Sequence, residues 1–250
     1  MLRGISRRLA LAGSAALPFA QARAAAPPAG KVTLTAADGH KLMAWKADAL
    51  GRPKGGIVVL HAVFGATAHM GDVCARWAQA GYTAVAPALY DRVSPNENVV
   101  AYDKLPDGVK KSSALTEAQL FADVEAAAKA AGAPAKVAIS GFCMGGTWAW
   151  RAGAARAWAA QVNFYGSNVF DFNDLTPKAP TIFHVGDMDP QIPMAKVEQI
   201  RARHPDMELH VYPGAVHAFE NVEQASYKKD AAELAWQRSI AFMDRHVGKA

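Results

Sequence analysis

The hexad Gly141-Phe142-Cys143-Met144-Gly145-Gly146 constrains this chain more than any other stretch. It follows the apolar run 136–140 and opens the helix-forming run 147–157. A strand turning sharply into a helix strains the backbone at its apex. The residues two positions to either side must then be small enough to clear it. Gly141 and Gly145 hold those positions, which puts Cys143, a potential nucleophile, at the apex. The same turn is known with serine as G-x-S-x-G. On the first helical turn, the Met144 N–H would point at an oxyanion formed beside the sulfur. Taken alone, the pentad suits a glycine-rich turn around an inert cysteine equally well.

Around this turn, apolar strand-like runs alternate with helical ones. Strands are expected near 56–60, 83–87, 137–140, 160–165, 180–185 and 207–212. Helices are expected near 69–80, 113–131, 145–157, 194–203 and 228–246. Runs 31–35 and 41–45, separated by an Asp38-Gly39 turn signal, form an expected N-terminal β-hairpin. Continuous apolar strands joined through helices predict an α/β domain with a mostly parallel sheet covered on both faces. Chemistry in such sheets sits beyond the carboxyl ends of the strands.

The N-terminus reads differently. Arg3, Arg7 and Arg8 precede an apolar stretch over 9–20, and A-x-A sites follow at 22–26. This is the pattern of an export signal, and the Arg7-Arg8 pair is similar to a twin-arginine signal. The expected organisation is a signal over 1–24, a flexible leader over 25–30 and one domain over 31–250, destined for the periplasm or secretion. Four of the five net positive charges lie in residues 1–24, which leaves +1 on the rest. A near-neutral chain gives no electrostatic case for nucleic acid or a membrane as partner. A monomer acting on a small molecule is expected. With no CxxC, no zinc-spaced His/Cys cluster and no HExxH in the sequence, no metal or other cofactor is expected. Cys74 lies in a helical pattern and reads as a core residue.

A cysteine nucleophile needs a base, and the base needs an orienting carboxylate. In hydrolytic sheets of this kind the chain order is nucleophile, acid, base. After run 180–185 the chain reads Gly186-Asp187-Met188-Asp189-Pro190-Gln191-Ile192-Pro193. Tyr212-Pro213-Gly214-Ala215-Val216-His217-Ala218-Phe219 closes the next strand and its loop. His217 is the expected base. The residues alone leave Asp187 and Asp189 open as the acid.

These pieces together resemble the dienelactone hydrolase family (carboxymethylenebutenolidases), and the resemblance covers nearly all of the chain after the signal. It implies the α/β-hydrolase fold and a Cys143–Asp189–His217 triad, with Asp187 left as a turn-capping group. It also implies oxyanion donors at the Val63 and Met144 N–H groups, from the match of Ile57-Val58-Val59-Leu60-His61-Ala62-Val63-Phe64-Gly65 to the family's oxyanion loop. Arg92, in Pro87-Ala88-Leu89-Tyr90-Asp91-Arg92, matches the arginine that grips a substrate carboxylate. His61, Tyr165 and Asn221 are further candidates for substrate contact. Two positions depart from the pattern. Ala62 stands where the family usually has a glutamate, and Asn221 where dienelactone hydrolases carry a second carboxylate-binding arginine. With one cationic contact in place of two, a substrate less acidic than a dienelactone is expected.

The implied activity is hydrolysis of a small ester or lactone through a thioester. Alternatives are a thioesterase or peptidase of the same fold, a non-catalytic small-ligand binder, and a thiol redox sensor. Among the other histidines, His184 reads as a core residue and His210 as a strand-face residue, while His69, His204 and His246 read as surface positions.

Overall fold

The computed structural model describes residues 28–95 and 97–248; the expected signal lies outside these. Eight strands form one sheet: β1 (Gly30–Thr35), β2 (Lys41–Ala47), β3 (Gly55–Leu60), β4 (Tyr82–Pro87), β5 (Val137–Phe142), β6 (Gln161–Phe164), β7 (Thr181–Gly186) and β8 (Glu208–Tyr212). Their order across the sheet is β1-β2-β4-β3-β5-β6-β7-β8. β3 to β8 run parallel, and the β1–β2 hairpin joins antiparallel through β2 against β4. Gly30, expected in the leader, is already paired with Lys46.

Among the described residues there are six α-helices, α1 (Ala68–Gln79), α2 (Leu105–Ser113), α3 (Glu117–Ala131), α4 (Met144–Ala155), α5 (Met194–Arg203) and α6 (Lys229–His246), of which α1, α3, α4 and α6 pack on the strands. Strand side chains alternate between two cores, as the pleat requires. Ile57 and Val59 share one with Trp77 of α1 and Trp236 of α6, whose rings lie 5.0 Å apart. Val58 and Leu60 share the other with Leu120, Val124 and Ala127 of α3. No helix among the described residues is long and apolar enough to cross a membrane.

The helix expected over 113–131 begins at Glu117, and α2 ahead of it is not among the expected helices. Thr116 caps α3 by accepting from the Gln119 N–H, while the Gln119 side chain accepts from the Thr116 N–H. This capping box starts a new helix and separates α3 from α2. Two histidines also differ from expectation. His204 is buried, with Nε2 3.1 Å from the Asn173 carbonyl and its ring edge-on to Trp150. His69 is buried as well, in the site described next.

Candidate active site

The elbow forms as its glycines demand. Cys143 stands between β5 and α4 with φ 54° and ψ −119°, a conformation that only its surroundings can hold. Its N–H donates to the Phe164 carbonyl at 3.1 Å, and its carbonyl accepts from the Gly146 N–H at 2.9 Å. A Cβ at Gly141 would strike the Gly145 carbonyl, and one at Gly145 the Leu60 and His61 carbonyls. The turn therefore has room for no larger residue at either place.

The acid loop follows β7 and the base loop follows β8. Asp189 Oδ2 lies 2.7 Å from His217 Nδ1, and Asp189 Oδ1 accepts from the Gln191 N–H at 2.8 Å. The carboxylate is fully buried. Asp187 turns outward and accepts from the Gly214 N–H at 2.7 Å, fastening the acid loop to the base loop. The structure thus separates the two aspartates that the residues alone left open.

Among the described residues His217 Nε2 has no hydrogen-bond partner, and the ring lies near enough to the Cys143 sulfur for their charges to act on each other. Burial works against charge on both groups, but their mutual attraction, with Asp189 behind the ring, outweighs it. The Cys143 thiol is held below its ordinary range, helped by the Met144 N–H and by Ser167, whose Oγ lies 3.8 Å from Sγ. Against the same desolvation, Asp189 and the sulfur raise His217 to about 9. These directions favour a thiolate beside an imidazolium.

These groups face a cavity of about 740 Å³. Val63 and Met144 both line it. The loop carrying Val63 is braced from behind: Tyr90 Oη lies 2.8 Å from the Val63 carbonyl and 3.2 Å from that of Gly108 in α2. Gly108 packs directly on the Val63 carbonyl, where a Cβ would collide.

The proposed substrate contacts fare unequally. Tyr165 and Asn221 line the cavity. The Tyr165 ring stands edge-on to His217 at 5.0 Å, on a backbone with φ 41°. Asn221 Nδ2 donates to Tyr102 Oη at 3.1 Å. His61 does not reach the cavity lining. It is fully buried beneath the loop, with Nε2 accepting from the Leu89 N–H at 3.3 Å and Nδ1 2.7 Å from the Ala62 carbonyl. Burial lowers its pKa to about 4, so the neutral ring braces the chain where the loop begins.

Arg92 is likewise committed elsewhere. Its Nε and Nη2 grip both oxygens of buried Asp123 in α3 at 2.9 and 2.7 Å, and Nη1 reaches Asp38 at 2.7 Å. The guanidinium ties the β1–β2 turn to α3 and is not part of the cavity wall. Short, two-pronged carboxylate contacts leave it no free face for a substrate.

Sequence reasoning missed Ser167, His69 and Glu220. His69 Nε2 lies 3.2 Å from Glu220 Oε2, and both side chains are buried. Trp236 Nε1 donates to Glu220 Oε1 at 2.8 Å, and Tyr165 Oη lies 3.5 Å from Oε2. The only local signal was Glu220 itself, an acid three residues past the expected base.

A model of the dienelactone hydrolase family matches residues 42–247. A carboxymethylenebutenolidase homologue of Yersinia pestis is 31% identical over 209 residues, covering 76% of this chain and 78% of its own. One from Methylorubrum extorquens is 32% identical over 269 aligned positions, covering 94% and 91%. A crystal structure of a dienelactone hydrolase homologue from Klebsiella pneumoniae superposes with a TM-score of 0.74 at 31% identity, over 87% of this chain and 98% of that one.

Proposed function

Because the chain belongs to the dienelactone hydrolase family, we propose that it is a hydrolase using a Cys143–His217–Asp189 triad to cleave small, uncharged esters or lactones. The convergence of three loops carries this reading. Sulfur and imidazole come from the ends of β5 and β8 and line one cavity, and the buried carboxylate from the end of β7 holds the imidazole from behind.

The thiolate attacks the carbonyl carbon, and its electron pair forms the C–S bond as the carbonyl π pair moves onto oxygen. The Met144 and Val63 N–H groups stabilise that oxyanion, each such donor contributing about 3–4 kcal/mol to the barrier in well-studied cases. Collapse expels the alkoxide, which takes the proton from His217 Nε2. Acylation removes the thiolate charge that helps keep the ring protonated. The neutral ring left behind then takes a proton from water, hydroxide adds to the thioester, and the thiolate departs as the acid is released.

Substrate charge follows from the cavity wall. Its described lining contains no Lys, Arg, Asp or Glu, and much of it is apolar, including Phe64, Met70, Leu105, Val109 and Phe142. A bound carboxylate would be desolvated there without a lysine or arginine to pair it. The same wall suits an apolar acyl or leaving group.

The test is turnover of p-nitrophenyl esters by the wild type, Cys143→Ala and His217→Ala, alongside lactones with and without a carboxylate. Loss of turnover in both variants and preference for neutral lactones are expected. Undiminished hydrolysis by Cys143→Ala would overturn the triad, and preference for the carboxylated lactones would overturn the substrate class.

A further inference from the structure

A buried polar pair that the triad does not use, His69 backed by Glu220, stands at the cavity. His69 is 5% exposed, stands near the start of α1 and lines the cavity. Its Nε2 is taken by Glu220, whereas its Nδ1 is buried with no hydrogen-bond partner among the described residues. Leaving such a group unpaired costs about 1–3 kcal/mol, a cost that a ligand atom in the cavity would remove.

Glu220 fixes which way the ring faces and what it offers. Its Oε1 is anchored by Trp236, and Oε2 sits between the His69 ring and the Tyr165 hydroxyl. Desolvation opposes charge on His69, but the bond to Glu220 and the fields of Glu220, Glu223 and Asp72 raise its affinity for a proton. The ring carrying both protons donates Nε2–H to Glu220 and keeps Nδ1–H for a second acceptor.

We propose that His69, seated on Glu220, is a specificity-determining residue whose Nδ1–H binds an oxygen of the substrate away from the scissile carbonyl. The preferred substrates are then neutral esters or lactones bearing one further acceptor oxygen, such as an ether or ketone. An anionic oxygen is disfavoured because Glu220 neutralises the ring and stands directly behind it. The inference rests on the hydrolase reading above and deepens it.

The test uses p-nitrophenyl esters of linear acids and their oxa-analogues, in which one methylene is replaced by oxygen at successive positions. They are assayed on the wild type, on His69→Asn, which keeps a donor near the Nδ1 position, and on His69→Phe/Glu220→Gln, which leaves no carboxylate unpaired. At one oxa position the wild type should exceed the all-carbon ester about tenfold in kcat/KM, mainly through KM. That advantage, read as the ratio of oxa to all-carbon ester within each protein, should survive in His69→Asn and vanish in the double variant. No oxa preference in the wild type, or an equal preference in the double variant, overturns the inference.

Turnover of the all-carbon ester tests the hydrolase reading separately. Should it be absent, calorimetric binding of matched alkyl and oxa-alkyl methyl ketones to the same three proteins reads the preference without chemistry. Equal affinity for the two ketones in the wild type then overturns it.

Discussion

Asp189 does two things for His217: it holds Nδ1 at 2.7 Å, and it keeps the ring charged to about pH 9. The thiol's pKa is displaced downward and the imidazole's upward, so the ion pair exists between the two values. kcat/KM should rise with pH through the lowered thiol pKa, form a plateau, and fall near pH 9 as the imidazolium loses its proton. Asp189→Asn withdraws a charge that favours the imidazolium, so the alkaline limb should move to lower pH. The rate on the plateau should drop by about 10²–10⁴-fold, the usual worth of positioned acid–base catalysis. A pH–rate profile of the two proteins checks both, and an unmoved alkaline limb would remove Asp189 from this role. Asp189 is legible in the sequence only with the family pattern beside it, because Asp187 sits at an equally suitable loop position and differs only in which way it turns.

Between elements, Arg92 shows where reading stops at the sequence. Its place after β4 is correct, but its direction is decided by Asp123, which lies 31 positions further on and is presented by α3. Nothing in the local string announces that capture. Arg92→Met should therefore leave KM for carboxylated and neutral substrates in the same ratio while lowering stability. Burying Asp123 without its partner should cost about 3 kcal/mol, near the low end for breaking a buried pair. Urea unfolding together with KM for both substrates separates this outcome from a substrate role, which would raise KM for the carboxylated one alone. The elbow was readable because Gly141 clears the Gly145 carbonyl four positions on, whereas the Leu60 and His61 carbonyls that Gly145 clears appear only in the assembled sheet. α2 goes unread in the sequence, and the helix expected from 113 starts at Glu117, where the Thr116-x-x-Gln119 capping box sets its first turn. By contrast, His69 and Glu220 meet across 151 positions, and only the assembled sheet brings them together.

For the whole molecule, the alternation of apolar runs suffices to place β3 to β8 in a parallel sheet with the chemistry at one end. Where the N-terminal hairpin attaches is not in that pattern; β2 adds antiparallel beside β4 and extends the sheet. Export belongs to this scale as well. The Arg7-Arg8 pair leads us to propose twin-arginine export. Replacing both by lysine should move the protein from the periplasmic to the cytoplasmic fraction with its thiol chemistry unchanged. An unaltered distribution would point to another route.

The contact of Gly108 with the Val63 carbonyl, locked by the Tyr90 hydroxyl, reaches further than packing. The wall that α2 lends the cavity and the loop carrying the proposed Val63 oxyanion donor share a joint there, so neither is free to change alone. Grafting a different α2 to widen the range of accepted molecules would tilt the amide beneath it. Variants with new tastes should emerge slower catalysts until the joint is rebuilt.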